Sequence, residues 1–216
     1  AGTIKDCTGN SSNSTNVKTG IAENPLPGDW LINEILFNPR SNAFDYVELY
    51  NNSNKIADAA KLFIANRNSS GVISSVKALS TLPFFIFPGE YVVITEDAAN
   101  LSLQYLVKNP DNILVISSLP SYPDDAGDVV ALDVQGQVVD EVKYQDDWHF
   151  KLISNQEGVS LERIDPNGLS QNAGNWHSAA STAGFGTPGY KNSQYKQTDF
   201  TDALVEVLPA LFSPDN

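Results

Sequence analysis

The chain has 216 residues, 41% of them hydrophobic, enough to fold one sizeable β domain or two small ones without a metal or disulfide staple. Its 26 acidic residues against 13 Lys and Arg give a formal charge of -13, a surface that repels bare nucleic acid and anionic membranes. The single cysteine, Cys7, excludes an internal disulfide, and no segment is long and apolar enough to span a bilayer.

In chain order, residues 8 to 29 are polar and punctuated by Gly and Pro, the composition of a linker. The preceding TIKDC reads as the end of a strand whose partners are missing. From Trp30 strands follow quickly: WLINEILF, FDYVELY, LFIANR, VISSVKAL, FFIF and YVVIT, with turn residues such as NNSNK and PGE between them. The stretch EDAANLSLQYLVKN, 96 to 109, breaks the alternation. Asp97 suits an N-cap and Leu101, Tyr105 and Leu106 share a helical face, so the pattern predicts one short helix near 97 to 107. NILVIS, VVALDV and VVDEVKY are further strands, the last two joined by the hairpin signal QGQ. After VSLERID the chain turns to Gly, Asn, Ser and Pro, irregular structure that closes a domain. Many short strands with almost no helix predict an all-β protein, a mainly antiparallel β-sandwich over roughly residues 30 to 180.

Strand parity places three charges on apolar faces. In GVSLERIDPN, Arg163 falls in register with Val159 and Leu161. In WLINEILF, Glu34 shares a face with Trp30, Ile32 and Leu36; Leu31, Asn33, Ile35 and Phe37 form the other, so both sides should be covered. Asp140 shares a face with Val138, Val142 and Tyr144. An unpaired buried charge is costly, and the planar Arg fork matches a carboxylate. The parity therefore predicts a structural Glu34–Arg163 ion pair with Asp140 nearby. The competing reading is an active-site acid with a basic partner.

Other candidate chemistry is sparse. His149 and His177 each follow a Trp, but no nucleophile-elbow sequence accompanies them, and the expectation is no enzyme. PDDAGD supplies Asp124, Asp125 and Asp128 as hard oxygens for calcium, and YQDDW adds Asp146 and Asp147, yet neither has EF-hand spacing. A solvated acidic turn is the simpler reading, and no other cofactor is expected. Two His and one Cys, far apart, form no zinc motif. Tyr46, Glu48 and Tyr50 alternate onto one face opposite Val47 and Leu49, either a glycan-binding face or rings packed under a loop. Abundant Asn, Ser, Thr and Gly with scarce Lys lean toward an exported protein.

Several pieces together resemble the lamin tail domain in its bacterial, exported or cell-surface form. They are INEILFNP (32 to 39), DYVELYNNS (45 to 53), PGEYVVIT (88 to 95), GQVVDEVKY (136 to 144), the WH at 148, GVSLERI (158 to 164), NWHSA (175 to 179) and GTPGYKNS (186 to 193). The resemblance implies an immunoglobulin-like sandwich over 25–194, serving as a non-catalytic accessory module that spaces domains or contacts other proteins. A carbohydrate-binding module is the alternative. A calcium-dependent adhesion module, or an accessory domain of a secreted hydrolase, is third. The insertion from Leu101 to Asp125 departs from a compact sandwich and is a candidate binding surface. Residues 1–24 resemble the remnant of a preceding Ig-like domain plus linker, and 195–216, ending in LFSPDN, resemble a linker and the start of a following domain. The expected partner is a protein or glycan outside the cell, with no nucleic acid and no membrane insertion.

Overall fold

The computed structural model describes residues 7–9 and 18–196. The LFSPDN segment and all of TIKDC but Cys7 lie outside the described residues. The strands are β1 (Trp30–Leu36), β2 (Tyr46–Asn51), β3 (Ala57–Asp58), β4 (Leu62–Arg67), β5 (Ile73–Ala78), β6 (Phe85–Ile86), β7 (Tyr91–Thr95), β8 (Ile113–Val115), β9 (Ala126–Asp133), β10 (Val138–Gln145), β11 (Leu161–Arg163) and β12 (Trp176–Ser178). Among the described residues one α-helix, α1 (Ala98–Gln104), interrupts them.

A six-stranded sheet in the order β12-β11-β1-β2-β7-β8 packs on a four-stranded sheet in the order β10-β9-β4-β5, with β3 and β6 forming a small ribbon. Every ladder between these strands is antiparallel except β7–β8. Alternation makes the core. Val47, Leu49, Val92, Ile94 and Leu161 of the larger sheet meet Leu62, Ile64, Val129, Ala131 and Val142 of the smaller one. Tyr144 stacks on Phe37, ring centroids 4.3 Å apart, and its hydroxyl donates to the Pro123 carbonyl at 2.8 Å. That hydroxyl needs Gly127: a Cβ there would stand 2.5 Å from it.

Two β-bulges change which residues face the core. In β1 the pairing with β2 shifts between Ile32 and Glu34. The core takes Trp30 and Ile32, then Ile35 and Phe37. The extra residue inverts the parity expected from period two, so Glu34 and Leu36 look out of the sandwich. All seven residues of β1 are nevertheless buried, because the outer face is covered too. A second shift, between Val138 and Asp140 in β10, puts Val139 into the core, while Val138 packs outside with Ala65, Val130 and Leu132.

The cover on the larger sheet begins with α1. The Asp97 side chain accepts from the amides of Ala99 and Asn100, the expected N-cap. Leu101 and Tyr105 pack with Leu36, Tyr46 and Val93. The helix stops at Gln104 and Tyr105 is extended (φ -134, ψ 156), so Leu106 leaves the helical face on which it was expected and is exposed. The 101–125 insertion is largely structural: it contributes β8 and sends Leu119 and Tyr122 into the core.

Candidate functional site

Arg163 sits on the inner face of β11, next to the β1 bulge, and is 1% exposed. Its Nη2 donates to Asp140 Oδ2 at 2.9 Å and to Ser170 Oγ at 2.8 Å; its Nε donates to the Ile32 carbonyl at 2.8 Å and its Nη1 to the Gly168 carbonyl at 3.2 Å. Asp140 Oδ2 also accepts from the Ile32 amide at 2.8 Å. The ion pair thus binds both backbone polar groups of Ile32, where the bulge begins. The guanidinium carbon lies 5.0 Å from the centre of the Trp176 ring. Burial pushes the guanidinium's pKa down, and Asp140 opposes that shift. The expected partner is corrected: Arg163 meets Asp140, not Glu34, because the bulge turns Glu34 to the opposite face of the sheet.

On that opposite face Glu34 is not alone. It lies directly across from Glu48 on β2 and from Glu162 on β11, and all three side chains are fully buried. None takes part in an ion pair with a Lys or Arg among the described residues. The segment 185–194, a strap laid over the sheet, serves them instead. Glu34 Oε1 accepts from the Thr187 amide at 2.8 Å, Tyr46 Oη at 2.6 Å and Ser160 Oγ at 2.5 Å. Glu48 accepts from the Gly189 amide at 2.6 Å and Asn33 Nδ2 at 2.7 Å. Glu162 accepts from Thr187 Oγ1 at 2.7 Å, Ser193 Oγ at 2.7 Å and the Gln194 amide at 2.9 Å. Asn192 Nδ2 donates to the carbonyls of Asn33 and Arg163, at 2.9 and 2.8 Å.

Small residues let the strap approach so closely. A Cβ at Gly186 would stand 2.7 Å from Tyr46 Oη and 2.8 Å from the Tyr105 ring. Burial, then the neighbouring Glu162, pushes the Glu34 carboxyl up from 4.5 to about 7. Burial and Glu34 push Glu48 up as well. Sequence reasoning missed this cluster. The signal was present in INEILF, YVELY and SLERI, three strands each with a Glu among apolar residues, but the bulge hid that they share a face.

The expected ligand face of Tyr46, Glu48 and Tyr50 is therefore corrected as well. Tyr46 and Glu48 are fully covered by α1 and the strap, and Tyr46 meets Tyr105 edge to face at 5.6 Å. Tyr50 is half-buried against Tyr91, ring centroids 4.8 Å apart. The acidic turn does not assemble either. Asp124 and Asp125 are exposed, while Asp128 lies half-buried on β9 beside Lys143 and Arg67. No three His, Cys, Asp or Glu side chains are arranged to hold a metal ion among the described residues.

His149 and Ser178 do come together, Nδ1 to Oγ at 2.8 Å, but both are buried and Ser178 Oγ also accepts from the Phe150 amide at 2.9 Å. His149 Nε2 is buried without a hydrogen-bond partner, and desolvation lowers the ring's pKa to about 4. Beside this pair the surface opens into a groove of about 530 Å³ lined by Trp148, Phe150, His177, Gln145, Asp147 and Lys151. Phe150 is 45% exposed over His177 and Leu152 is 82% exposed, and both line a second groove on the far side.

The sequence model of the lamin tail domain matches residues 24–146. The chain belongs to the lamin tail domain family. The match carries the Ig-like sandwich with it and spans β1 to β10, including Glu34, Glu48 and Asp140. Glu162, Arg163 and the strap lie beyond the matched span. No curated protein matches the chain.

Proposed function

We propose that this lamin tail domain is a non-catalytic interaction module of a multidomain exported or cell-surface protein, and that it contacts a protein partner through the Trp148–Phe150–Leu152–His177 surface. The observation that carries the reading is the exposure of Phe150 and Leu152 side by side with half-buried aromatic rings. Large apolar side chains clustered at a rim are the usual anchors of protein interfaces. The buried polar groups point away from catalysis. Arg163, Asp140 and the three glutamates spend their hydrogen bonds on the domain's own backbone and side chains, and Ser178 Oγ of the His149–Ser178 pair is engaged by the Phe150 amide.

Glycan binding is the second reading, favoured by the polar Gln145, Asp147 and Lys151 around the same rings. A side-by-side test separates the two. The isolated domain and its Phe150→Ala variant would be applied to a glycan array and to proteins from the outer surface of the source cells. Capture of a defined protein by wild type and its loss in Phe150→Ala supports the first reading. Array binding that Phe150→Ala abolishes supports the second. Partner binding that Phe150→Ala leaves intact would move the site elsewhere.

A further inference from the structure

We infer that the buried cluster of Glu34, Glu48 and Glu162 shares a held proton and forms a latch that keeps the strap on the six-stranded sheet and lets it go as pH rises. The argument starts from hydrogen counting. Thr187 Oγ1 lies 2.7 Å from Glu162 Oε1 and 3.1 Å from Glu34 Oε2. A hydroxyl owns one hydrogen and cannot donate to two carboxylate oxygens at once. Glu34 Oε1 already accepts three donors, from Tyr46, Ser160 and the Thr187 amide. The arrangement closes when Thr187 gives its hydrogen to Glu162 and Glu34 Oε2 carries a hydrogen toward Thr187. One added proton then joins β1, the strap and β11 in a single chain of hydrogen bonds.

Three buried carboxylates side by side on adjacent strands repel one another, and among the described residues no cation pairs with them. The titratable groups facing the cluster from the elements packed on it are tyrosines: Tyr46 on β2, Tyr91 on β7, Tyr105 after α1 and Tyr190 on the strap. All four have phenol pKa values raised, burial first among the causes, so they stay neutral. The nearby cations are directed elsewhere. Arg40 lies over the Tyr105 ring, Lys108 over Tyr190, Lys191 over Tyr195, and Arg163 is on the other face of the sheet.

The sign follows. The Glu34 carboxyl titrates near 7 in the fold against 4.5 ordinarily, so the folded protein holds the proton more tightly. The stability this brings is complete below about 4.5 and is lost as pH rises to about 7. The loss falls on the strap, because the strap supplies the donors that the ionised cluster must share. Its departure would uncover Tyr46, Asn33 and three carboxylates on the outer face.

The test compares amide exchange at Thr187, Gly189 and Gln194 with exchange at core amides of β2 and β7 between pH 5 and 8.5, corrected for intrinsic rates. In the full chain the strap should lose about tenfold or more of its relative protection across this range. In Glu34→Gln, whose amide keeps a hydrogen toward Thr187 and cannot ionise, the dependence on pH should be clearly shallower, with Glu48 still in the cluster. Infrared difference spectra of the wild type should show a protonated-carboxyl carbonyl band that vanishes near pH 7. Recorded in an Asp45→Asn background, which removes the other carboxyl raised to about 7, that measurement decides even where Glu34→Gln fails to fold. A pH-independent protection ratio, an unchanged slope in Glu34→Gln, or no titrating carboxyl band would each overturn the latch.

Discussion

The two faces of β1 solve the same physical problem in opposite ways. On the inner face the buried Arg163 is matched by Asp140, and opposite charges stand 2.9 Å apart. On the outer face three carboxylates of like sign are packed together, and their compensation comes from hydroxyl and amide donors and a held proton. The first corner rests on a charge pair, whereas the second rests on neutral donors and a shared proton. Between them the bulge at Ile32 and Asn33 has its backbone groups bound from both sides, by Arg163 and Asp140 within and by Asn192 of the strap outside. Burying charge is thus no single design. What each site can tolerate depends on which compensation it uses.

The largest effect should come from breaking the inner corner. Arg163→Ala leaves Asp140 buried without its partner and frees the Ile32 carbonyl, and should cost about 3–5 kcal/mol in denaturant unfolding. Replacing Arg163 and Asp140 together by Met and Leu should recover little. The Ile32 amide and carbonyl would remain unsatisfied, at about 1–3 kcal/mol each. Near-complete recovery would show that the backbone contacts matter little.

Next in size is the shape of the stability–pH curve. Deprotonating Glu34 should remove up to about 3 kcal/mol as pH rises from 4.5 to 7, and Asp45, also raised by burial to about 7, adds to the same limb. His149 acts in the other direction. Its folded pKa of about 4 lies below the ordinary 6.5, so the fold favours the neutral ring. The stability it brings is complete above 6.5 and is lost as pH falls to about 4, again by up to about 3 kcal/mol. The Glu34 and His149 windows overlap and offset each other between 4.5 and 6.5, and Asp45 leaves a net loss, so urea midpoints should be highest near pH 4.5 and fall toward 7. Glu34→Gln should make that fall shallower and His149→Phe should make it steeper.

Smaller is Gly186→Ala, which forces a methyl against Tyr46 and Tyr105 and should cost about 1–3 kcal/mol. The loss should appear first as faster exchange in the strap. Smallest is the groove: Phe150→Ala and Leu152→Ala should change stability by no more than about 0.5 kcal/mol while weakening partner binding.

The sequence showed the sandwich, the capped helix and the inward turn of Arg163, because each rests on local periodicity or a local cap. Asp140 on the inner side was legible for the same reason. Glu34 was misplaced because a bulge leaves no mark on a period-two pattern: both faces of β1 are apolar, so neither register looked wrong. The strap was legible only as irregular closing structure. Its role depends on contacts more than 140 residues apart in sequence, such as Gly189 to Glu48 and Thr187 to Glu34, which no local pattern encodes.

The most direct test is a pair of double-mutant cycles at one pH, one coupling Arg163 to Asp140 and the other coupling Arg163 to Glu34, with alanine at each position and urea unfolding as the readout. Opposite faces of β1 predict a coupling of about 1–3 kcal/mol for Arg163 with Asp140, and additivity within about 0.5 kcal/mol for Arg163 with Glu34. Strong coupling of Arg163 to Glu34 with none to Asp140 would mean that β1 keeps an unbroken alternation, and the division of charges between its two faces would be wrong.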